Sequence, residues 1–355
     1  MTAADSTRTF DLPIAVDAMG GDRGPEVVVE GVLDAIENYG GKFLIVGNRK
    51  FLYDAMSARG ASGHPDITII HAEDVITMED SPVDAVRDKT HSSLVLAARE
   101  VREGRAAALI SPGNTGAVLA AGTLLLGRIR GVERPGIATI LPTATDHSVL
   151  IDVGANVDSR ATHLLQFGIM GSIYARAILS IADPRVGLLS IGEERTKGNE
   201  LTKEAFPLFE RLFAESAHHG RFLGNVEGRD IVNGRADVIV CDGFTGNVVL
   251  KFGEGLAFTF IDLIRSRIKA TPLRKLGALL VRGAFAEMKK KIDYTEYGGA
   301  PLLGVKHPCI ICHGSSGPKA IMNAVRVTRE ALQFDICGRI ERTIKTFNEE
   351  SRNAS

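Results

Sequence analysis

The sequence predicts an α/β fold, an αβα sandwich built on a mostly parallel sheet. Two observations support this fold class. Short apolar runs typical of buried strands alternate with helical patterns along the whole chain, as expected for strands joined by crossover helices. Many of these runs also end in a polar turn that contains glycine. We therefore expect one sheet with helices on both of its faces.

The first half of the chain contains regular alternation of these elements. Pro25 stands in the first turn of a predicted helix that ends at Gly40, and Ser81 followed by Pro82 begins another helix. Strands are predicted at residues 13–16, 43–47, 67–71, 106–110, 138–141 and 149–152, and further helices at 48–58, 93–103, 116–127 and 160–180.

The second half continues the pattern less regularly. Strands are predicted at residues 186–191, 222–224, 238–241 and 309–312, and helices from 199 onward, at 247–267, at 271–292 and at 318–332. Residues 294–301 are predicted to be a turn-rich connector. We expect a disordered lead at residues 1–11, a single catalytic domain at 12–335 with a helical insertion near 271–292, and a polar tail at 336–355 that frays.

Composition limits the possible functions and the compartment. A formal net charge of −1 gives no general attraction to nucleic acid. The N-terminus lacks a signal-peptide pattern, and no apolar stretch is long enough to cross a bilayer, so we expect a cytoplasmic protein. Cys309 and Cys312 have the spacing of a redox or half-zinc motif, but they lie in a strand-like run without a second pair, which favours ordinary buried cysteines.

The loop after the strand at 186–191 is the centre of the predicted site. Lys197 lies on this loop, between Gly192 and the helical pattern that begins near Asn199 and Glu200. A loop that enters a helix N-terminus offers free N–H groups and a positive dipole end, which favour an anion. Lys197 is therefore a candidate for holding a phosphate or polarising a carbonyl oxygen.

Similar polar turns follow the other predicted strands. Ligands of open α/β sheets bind beyond the carboxyl ends of the strands, so we expect these turns to converge on one crevice. Their asparagines could donate through amides or could only cap helices, and their aspartates could orient a lysine, bind a metal or only form turns. His313 could be an acid or base, or a satisfied buried histidine. The turns contain Asp17, Gly20, Gly21, Asn114, Thr115, Asp152, Asn156, Asn225, Asp242, Gly243, Asn247, His313, Ser315 and Ser316.

Several common enzyme motifs are absent from the sequence. It has no Gly-x-Ser-x-Gly elbow, no His-Glu-x-x-His pair and no Walker lysine motif, which removes the usual hydrolase, zinc-protease and P-loop interpretations. The Rossmann fingerprint is also absent after the first strand, so an ordinary dinucleotide enzyme is disfavoured.

The segment at residues 271–292 combines an apolar side with basic residues. This pattern is typical of a helix at a membrane interface, and equally of a helix buried in a dimer contact with a solvated basic face. The residues expected to contact a membrane or a carrier protein are Arg274, Lys275, Leu276, Leu279, Leu280 and Arg282.

Eight motifs occur in an order that resembles a known family. The sequence from about residue 13 to 329 resembles the bacterial phosphate acyltransferases of the PlsX type, the acyl-[acyl-carrier-protein]:phosphate acyltransferases. The motifs are DAMGGD at 17–22, SPGNTG at 111–116, DVGAN at 152–156, GEERTKGNE at 192–200, GNVEG at 224–228, CDGFTGN at 241–247, YGGAP at 297–301 and HGSS at 313–316.

The resemblance implies a fold similar to phosphate acetyltransferases and to isocitrate and isopropylmalate dehydrogenases. It also implies transfer of a long-chain fatty acyl group from acyl carrier protein to inorganic phosphate, without metal or nucleotide cofactor. The acyl phosphate would feed a membrane glycerol-3-phosphate acyltransferase in phospholipid synthesis. Such enzymes are homodimers that work at the inner face of the cell membrane, so an anionic membrane surface is a further expected partner.

Phosphate is already a nucleophile at neutral pH, so the protein needs only to position it and to stabilise the oxyanion. We expect Lys197 to face the developing negative charge, with Asn247 and Asn225 as neutral donors. Asn114, Thr115 and the turn at Ser315 and Ser316 would seat phosphate or pantetheine.

Three alternatives remain at this point. An oxidoreductase of the isopropylmalate dehydrogenase type would need a divalent metal and a nicotinamide cofactor. A sugar or acetate kinase of the actin-like class is suggested by the turns at Asp17 and Asp152. A lipid-binding scaffold without catalytic activity is suggested by residues 271–292 alone.

Overall fold

One sheet of eleven strands runs through the part of the chain that the structure, a computed structural model, describes: residues 12–215, 220–292 and 298–353. The predicted lead at residues 1–11 lies outside these ranges. The strands are β1 Ile14–Asp17, β2 Phe43–Gly47, β3 Ile67–His71, β4 Ala108–Ser111, β5 Gly136–Pro142, β6 His147–Ile151, β7 Arg185–Leu189, β8 Arg221–Val226, β9 Val238–Val240, β10 Ala300–Leu303 and β11 Cys309–Ile311.

The helices cover both faces of the sheet. Proline begins α1, α3, α10 and α12, as the missing N–H of this residue allows. They are α1 Pro25–Tyr39, α2 Arg49–Ala58, α3 Pro82–Asp88, α4 Ser93–Arg102, α5 Thr115–Ala121 with a π-helical turn at Gly122–Leu126, α6 Ala161–Ile178, α7 Glu200–Glu215, α8 Asp230–Asn233, α9 Gly243–Lys269, α10 Pro272–Leu280, α11 Arg282–Ile292, α12 Pro318–Gln333 and α13 Ile336–Asn353.

The sheet consists of two parallel blocks that run in opposite directions. Its strand order is β3-β2-β1-β4-β11-β10-β5-β6-β9-β7-β8. The first block, β3 to β11 in this order, is parallel throughout, and so is the second block, β6 to β8. Between them, β10 pairs antiparallel with β11 and β5, and β5 pairs antiparallel with β6. Three antiparallel pairings in succession reverse the strand direction.

This reversal corrects the premise that the strands before the site turns all end at the same edge of the sheet. The carboxyl ends of β1, β4 and β11 lie at one edge of the sheet, and those of β6, β9, β7 and β8 lie at the opposite edge. The turns that follow the strands therefore form two groups. We call them the first-block turns and the second-block turns.

Three apolar clusters hold the layers together. One lies along one face of both blocks and includes α4, α5 and the start of α9. A second lies between the second block and the helices α6, α7 and α13. The third lies between the first block and the helices α1, α2 and α12. The result is the αβα sandwich that the sequence predicted.

Two segments differ from the sequence prediction. Ala300–Leu303, expected within or next to a connector, forms β10 in the middle of the sheet. The segment from 336 onward, expected as a polar tail, forms α13, in which Ile336, Ile340 and Ile344 are buried. The spacing of four residues places these isoleucines on one helical face, while the many charged residues occupy the rest of the helix.

Replacing Ile340 with alanine is expected to lower the free energy of unfolding by about 2–5 kcal/mol, because the side chain is fully buried and its removal leaves a cavity. Lys345→Ala on the same helix is the matched control, since the side chain is 74% exposed, and its effect should stay within about 0.5 kcal/mol. Urea unfolding measures both. Equal, negligible effects would show that α13 is not part of the core.

The cysteine prediction is confirmed. Cys309 and Cys312 are both buried, and burial raises the pKa of each thiol to about 12. Three residues apart on a strand, they point to opposite faces, and each belongs to a different apolar cluster. The two cysteines are therefore apolar packing residues, each in the core on its own side of the sheet.

The predicted helix at 271–292 is two helices, α10 and α11, which follow the long helix α9. Thr271 caps α10 by accepting a hydrogen bond from the N–H of Arg274 at 3.3 Å. Within the described residues, every helix is too short or too polar to cross a bilayer.

Candidate functional site

The Lys197 loop, residues 190–199, leaves the carboxyl end of β7 and enters α7. Lys197 is exposed, and its N–H donates to the carbonyl oxygen of Glu194 at 2.9 Å. The Lys197 stem lies against Gly192, where a Cβ would be 2.9 Å from the Cγ of the lysine. Within the described parts of the chain the ammonium has no ion pair, so its charge is available to a ligand.

Charged contacts fix the Lys197 loop on both sides. Glu193 pairs with Arg235, and its carboxylate lies 3.7 Å from the guanidinium of Arg229. On the other side, Arg195 pairs with Glu210 at 3.0 Å and lies over the ring of Phe206. These contacts hold the loop backbone in place while Lys197 remains free.

Asn225 lies beneath this loop and is only 2% exposed. Its Nδ2 donates to the carbonyl oxygen of Glu194 at 2.9 Å, so the amide supports the loop. This contact differs from the oxyanion-donor role that the sequence suggested. The Oδ1 of Asn225 and the Oγ of Ser190 are buried and have no hydrogen-bond partner among the described residues.

Asp152, at the end of β6, organises the next turn. Its Oδ1 accepts from the N–H of Ile137, Gly154 and Ala155 at 2.9–3.2 Å. Its Oδ2 accepts from the backbone and side-chain nitrogens of Asn156, at 2.8 and 2.9 Å. Burial raises the pKa of this carboxyl, and the hydrogen bonds oppose that effect. Five donors on one carboxylate identify Asp152 as the support of the turn.

The N-terminus of α9 packs against the Asp152 turn. Asp242 caps the helix by accepting from the N–H of Thr245 at 2.9 Å. The N–H of Gly243 donates to the carbonyl oxygen of Asn156 at 2.8 Å, and a Cβ on Gly243 would lie 2.7 Å from the same oxygen. Only glycine permits this approach. Asn247 is exposed in the first turns of α9, and a Cβ on Gly154 would lie 3.8 Å from its side chain.

The second-block turns lie side by side, since β9 stands between β6 and β7 and neighbouring strands are about 4.8 Å apart. A cation at Lys197, on the loop after β7, and an exposed amide at Asn247, in the first turns of the helix after β9, therefore occur at one edge of the sheet. Such a pair of donors can stabilise an oxyanion.

The first-block turns pack tightly around Asp17. This carboxylate is buried and accepts from the hydroxyl of Ser111 at 2.7 Å and from the N–H of Met19 at 3.1 Å. Burial raises the pKa of Asp17. A Cβ on Gly20 would lie 2.7 Å from both the carboxylate and the Cα of Gly113, so glycine is required there. The N–H of Asp22 donates to the carbonyl oxygen of Gly314 at 2.8 Å, which joins the turns after β1 and β11.

Asn114 begins α5 as its cap. Its Oδ1 accepts from the N–H of Ala117 at 3.2 Å, and its Nδ2 donates to the carbonyl oxygens of Thr77 and Met78 at 3.3 Å. The side-chain groups of Asn114 are thus used within the protein, whereas Thr115 beside it is exposed.

The turn after β11 presents a histidine to solvent. His313 is exposed, and its Nδ1 lies 2.7 Å from the hydroxyl of Ser315 and 3.2 Å from the N–H of the same residue. Ser316 is buried, and its N–H donates to the carbonyl oxygen of His313 at 2.9 Å. Thr115, His313 and Ser315 are therefore the exposed polar side chains of the first-block turns among the predicted site residues.

Among the predicted residues, the structure brings together Asp17, Gly20, Gly21, Asn114, Thr115, His313, Ser315 and Ser316 at one edge, and Asp152, Asn156, Lys197, Asn199, Glu200, Asn225, Asp242, Gly243 and Asn247 at the other. Asn199 caps α7 by accepting from the N–H of Thr202 at 2.9 Å, and Glu200 is the first helical residue. The sequence analysis missed Ser190, Glu193 and Arg235, and the pairing of the last two has no local sequence signal.

Two further observations concern metal ions and the helices α10 and α11. No group of three or more His, Cys, Asp or Glu side chains in the described ranges is arranged to hold a metal ion. The side chains of α10 and α11 that were expected to contact a membrane or carrier are exposed: Arg274, Lys275, Leu276, Leu279, Leu280 and Arg282.

Comparison with known proteins gives consistent results. Residues 12–339 match the model of a family described as fatty acid synthesis protein. The phosphate acyltransferase of Heliobacterium modesticaldum is 50% identical over 333 residues, which are 94% of this chain and 98% of that relative. The phosphate acyltransferase of Geobacter sulfurreducens is 46% identical over 335 residues, which are 94% of this chain and 95% of that relative.

Solved structures support the fold class. A phosphotransacetylase from Streptococcus pyogenes superposes with a TM-score of 0.63 at 16% identity, over 91% of this chain and 94% of that one. A branched-chain phosphotransacylase from Enterococcus faecalis superposes with a TM-score of 0.55 at 15% identity, over 90% and 99%. The predicted likeness to the phosphate acetyltransferase fold is confirmed.

Proposed function

Because this chain belongs to the phosphate acyltransferase family, we propose that it transfers a long-chain fatty acyl group from the thioester of acyl carrier protein to inorganic phosphate. A phosphate oxygen attacks the thioester carbonyl, the C–S bond breaks, and the carrier thiolate leaves and takes up a proton. The product is an acyl phosphate for phospholipid synthesis.

The observation that supports this chemistry most directly is the free Lys197 ammonium on a fixed loop. The attacked carbonyl oxygen becomes negative in the transition state, and a preorganised cation stabilises that charge more than it stabilises the neutral thioester. Asn247, exposed on the neighbouring turn, is the second donor. Asn225 acts through the Glu194 carbonyl by holding the loop that carries Lys197.

We assign the first-block turns to the binding of substrate. The sheet twists by about 20–25° per pair of neighbouring strands. Over the six steps from β1 to β9, the strand direction rotates by roughly 120–150° in total. We propose that this rotation turns the two edges, which would be opposite in a flat sheet, toward a common side. We propose that Thr115, His313 and Ser315 contact phosphate or the pantetheine arm from this side.

The decisive experiment uses palmitoyl acyl carrier protein, labelled inorganic phosphate and enzyme, without nucleotide or added metal. We expect the label to enter an organic-soluble product at the same rate as the carrier thiol is released. Treatment of this product with hydroxylamine should yield a hydroxamate. Because the thioester substrate also reacts with hydroxylamine, only the hydroxamate that forms in the presence of phosphate, above the amount formed without it, reports acyl phosphate. Activity that strictly needs ATP or NAD would contradict the proposal.

The end of α9 and the helices α10 and α11 form an apolar surface. A cavity of about 460 Å³ lies between the end of α9 and the helices α10 and α11, and it is lined mainly by Leu263, Ile264, Ile268, Ala278, Val281 and Phe285. Leu279 and Leu280 are 61% and 83% exposed next to basic residues. We propose that this surface contacts an anionic membrane and the acidic carrier protein, which places the enzyme at the inner face of the cell membrane.

Replacing Leu279 and Leu280 with aspartate is expected to reduce co-sedimentation with anionic liposomes at least tenfold, because two exposed apolar side chains become charged. Turnover of palmitoyl pantetheine, an acyl donor without carrier protein, should be unchanged, since both residues are remote in sequence from the polar turns. Leu12→Asp, another exposed leucine, serves as the control. Unchanged sedimentation of the double variant would remove the membrane role from these helices.

The homodimer and the transfer of product to a membrane glycerol-3-phosphate acyltransferase are parts of the same proposal. Phe244, Val248 and Phe252 are exposed at intervals of four residues along α9, and a second copy of the chain would cover this apolar stripe. An acyl phosphate hydrolyses readily, so delivery beside the membrane shortens the path to the next enzyme.

A further inference from the structure

We propose that Arg134 and Arg160 form a binding site for a phosphate group beside the second-block turns. Arg134 precedes β5, and Arg160 precedes α6. The inference rests on the proposed function, because it assigns this site to a phosphate of that reaction. The two sources are the phosphodiester of the carrier's phosphopantetheine arm and the inorganic phosphate.

The backbone around both arginines is fixed. The N–H of Glu133 donates to Oε1 of Gln166, and Nε2 of Gln166 donates to the carbonyl oxygen of Gly131, both at 2.9 Å. The N–H of Arg160 donates to Nδ1 of His163 at 3.1 Å. The two guanidinium groups therefore start from anchored backbone positions, and both lie near enough to His163 for their charges to act on it.

At this corner two guanidinium groups stand near one carboxylate, that of Glu133. The Glu133 carboxylate is occupied by Nε2 of His163 and by the hydroxyl of Thr162, both at 3.2 Å. Burial lowers the pKa of His163, the Glu133 carboxylate opposes this effect, and the positive charges of Arg134 and Arg160 add to it. Within the described residues neither guanidinium has an ion pair or a side-chain hydrogen bond. Both arginines are exposed, so a ligand can reach them.

The corner is joined directly to the proposed site. Nδ2 of Asn156 donates to the carbonyl oxygen of Pro135, the residue after Arg134, at 2.8 Å. The carbonyl oxygen of Asn156 in turn accepts from the N–H of Gly243 at the start of α9. A group bound by the two arginines therefore lies one turn away from the turn that carries Asn247.

Phosphate is the ligand class that this chemistry selects. Guanidinium groups form charge-assisted, bidentate hydrogen bonds with phosphate oxygens. Two guanidinium groups carry two positive charges, which match a phosphate dianion better than a ligand with a single carboxylate. The start of α6 next to Arg160 adds a weak positive dipole end. Both substrates of the proposed reaction contain a phosphate, and one of them carries it at the base of the acyl-bearing arm.

The test compares palmitoyl phosphopantetheine with palmitoyl pantetheine, which lacks the phosphate, as acyl donors at saturating inorganic phosphate. We expect the wild type to prefer the first donor by about tenfold or more in kcat/KM. In the Arg134→Gln, Arg160→Gln double variant this ratio should fall to near one, while kcat/KM for palmitoyl pantetheine stays unchanged. Arg130→Gln, an exposed arginine four residues from Arg134, is the control and should keep the ratio.

Each outcome has a distinct meaning. If the double variant no longer discriminates between the two donors, the site binds the phosphate of the phosphopantetheine arm. If the donor ratio stays at its wild-type value and the KM for inorganic phosphate rises, the site binds inorganic phosphate. An unchanged ratio together with an unchanged KM overturns the site, as does an equal effect of Arg130→Gln. Calorimetric binding of phosphopantetheine and of phosphate, without turnover, tests the site even if the enzyme proves to catalyse another reaction.

Discussion

Replacing Lys197 with alanine lowers kcat for acyl transfer to phosphate by about 10²–10³, the usual cost of removing one oxyanion donor. The change removes an exposed side chain without an ion pair among the described residues. The free energy of unfolding should therefore change by no more than about 0.5 kcal/mol. The measurements are phosphate-dependent thiol release at saturating substrates and urea unfolding of the same preparation.

Two further variants separate the role of this lysine from general charge effects. Lys203→Ala removes a cation from an exposed position on α7, six residues away, and is expected to keep wild-type kcat. Lys197→Arg keeps the charge but changes its geometry, and it should recover only part of the rate. If Lys197→Ala retained near wild-type kcat, the oxyanion role of Lys197 would be rejected.

Replacing Asp152 with alanine is expected to lower the free energy of unfolding by about 3 kcal/mol or more, because five hydrogen-bond donors lose their common acceptor in a buried site. The position of Asn156 and the start of α9 depend on this carboxylate, so kcat should also fall. Urea unfolding measures the first effect and thiol release the second.

The matched control for this change lies on the same turn. Asp158 is exposed, and Asp158→Ala should leave both quantities within error. Asp152→Asn retains one acceptor oxygen but turns an N–H₂ group toward some of the former donors, so its stability should lie between those of the wild type and Asp152→Ala. Equal stability of all three variants would show that the Asp152 turn is held by other contacts.

Local signals in the sequence predicted most of the fold. Proline and glycine marked the bounds of α1 within one residue, and the polar turns marked the ends of β1, β4 and β6. Each of these signals lies within a few residues of the element that it defines. Asn199 was placed at a helix start for the same reason and is a cap. The helix predicted from residue 247, in contrast, begins at Gly243 and is capped by Asp242.

The parts that the sequence did not predict depend on distant pairings. The reversed direction of the second block follows from the antiparallel pairings of β10 and β5, whose residues are more than 150 positions apart in the chain. The use of the Asn225 amide depends on the carbonyl of Glu194, 31 residues away. In α13, three isoleucines among many charged residues formed too weak an apolar pattern to predict a core helix. Their burial depends on contact with α6, which is distant in sequence.

The strand order also determines when this chain can finish folding on the ribosome. β11 pairs with β4, and β10 completes the link to β5, yet both are made roughly 200 residues after β4. At about 5–20 residues per second, translation leaves this gap in the sheet open for roughly 10–40 s. During that time β4 has an unpaired edge, which nascent-chain chaperones would have to shield.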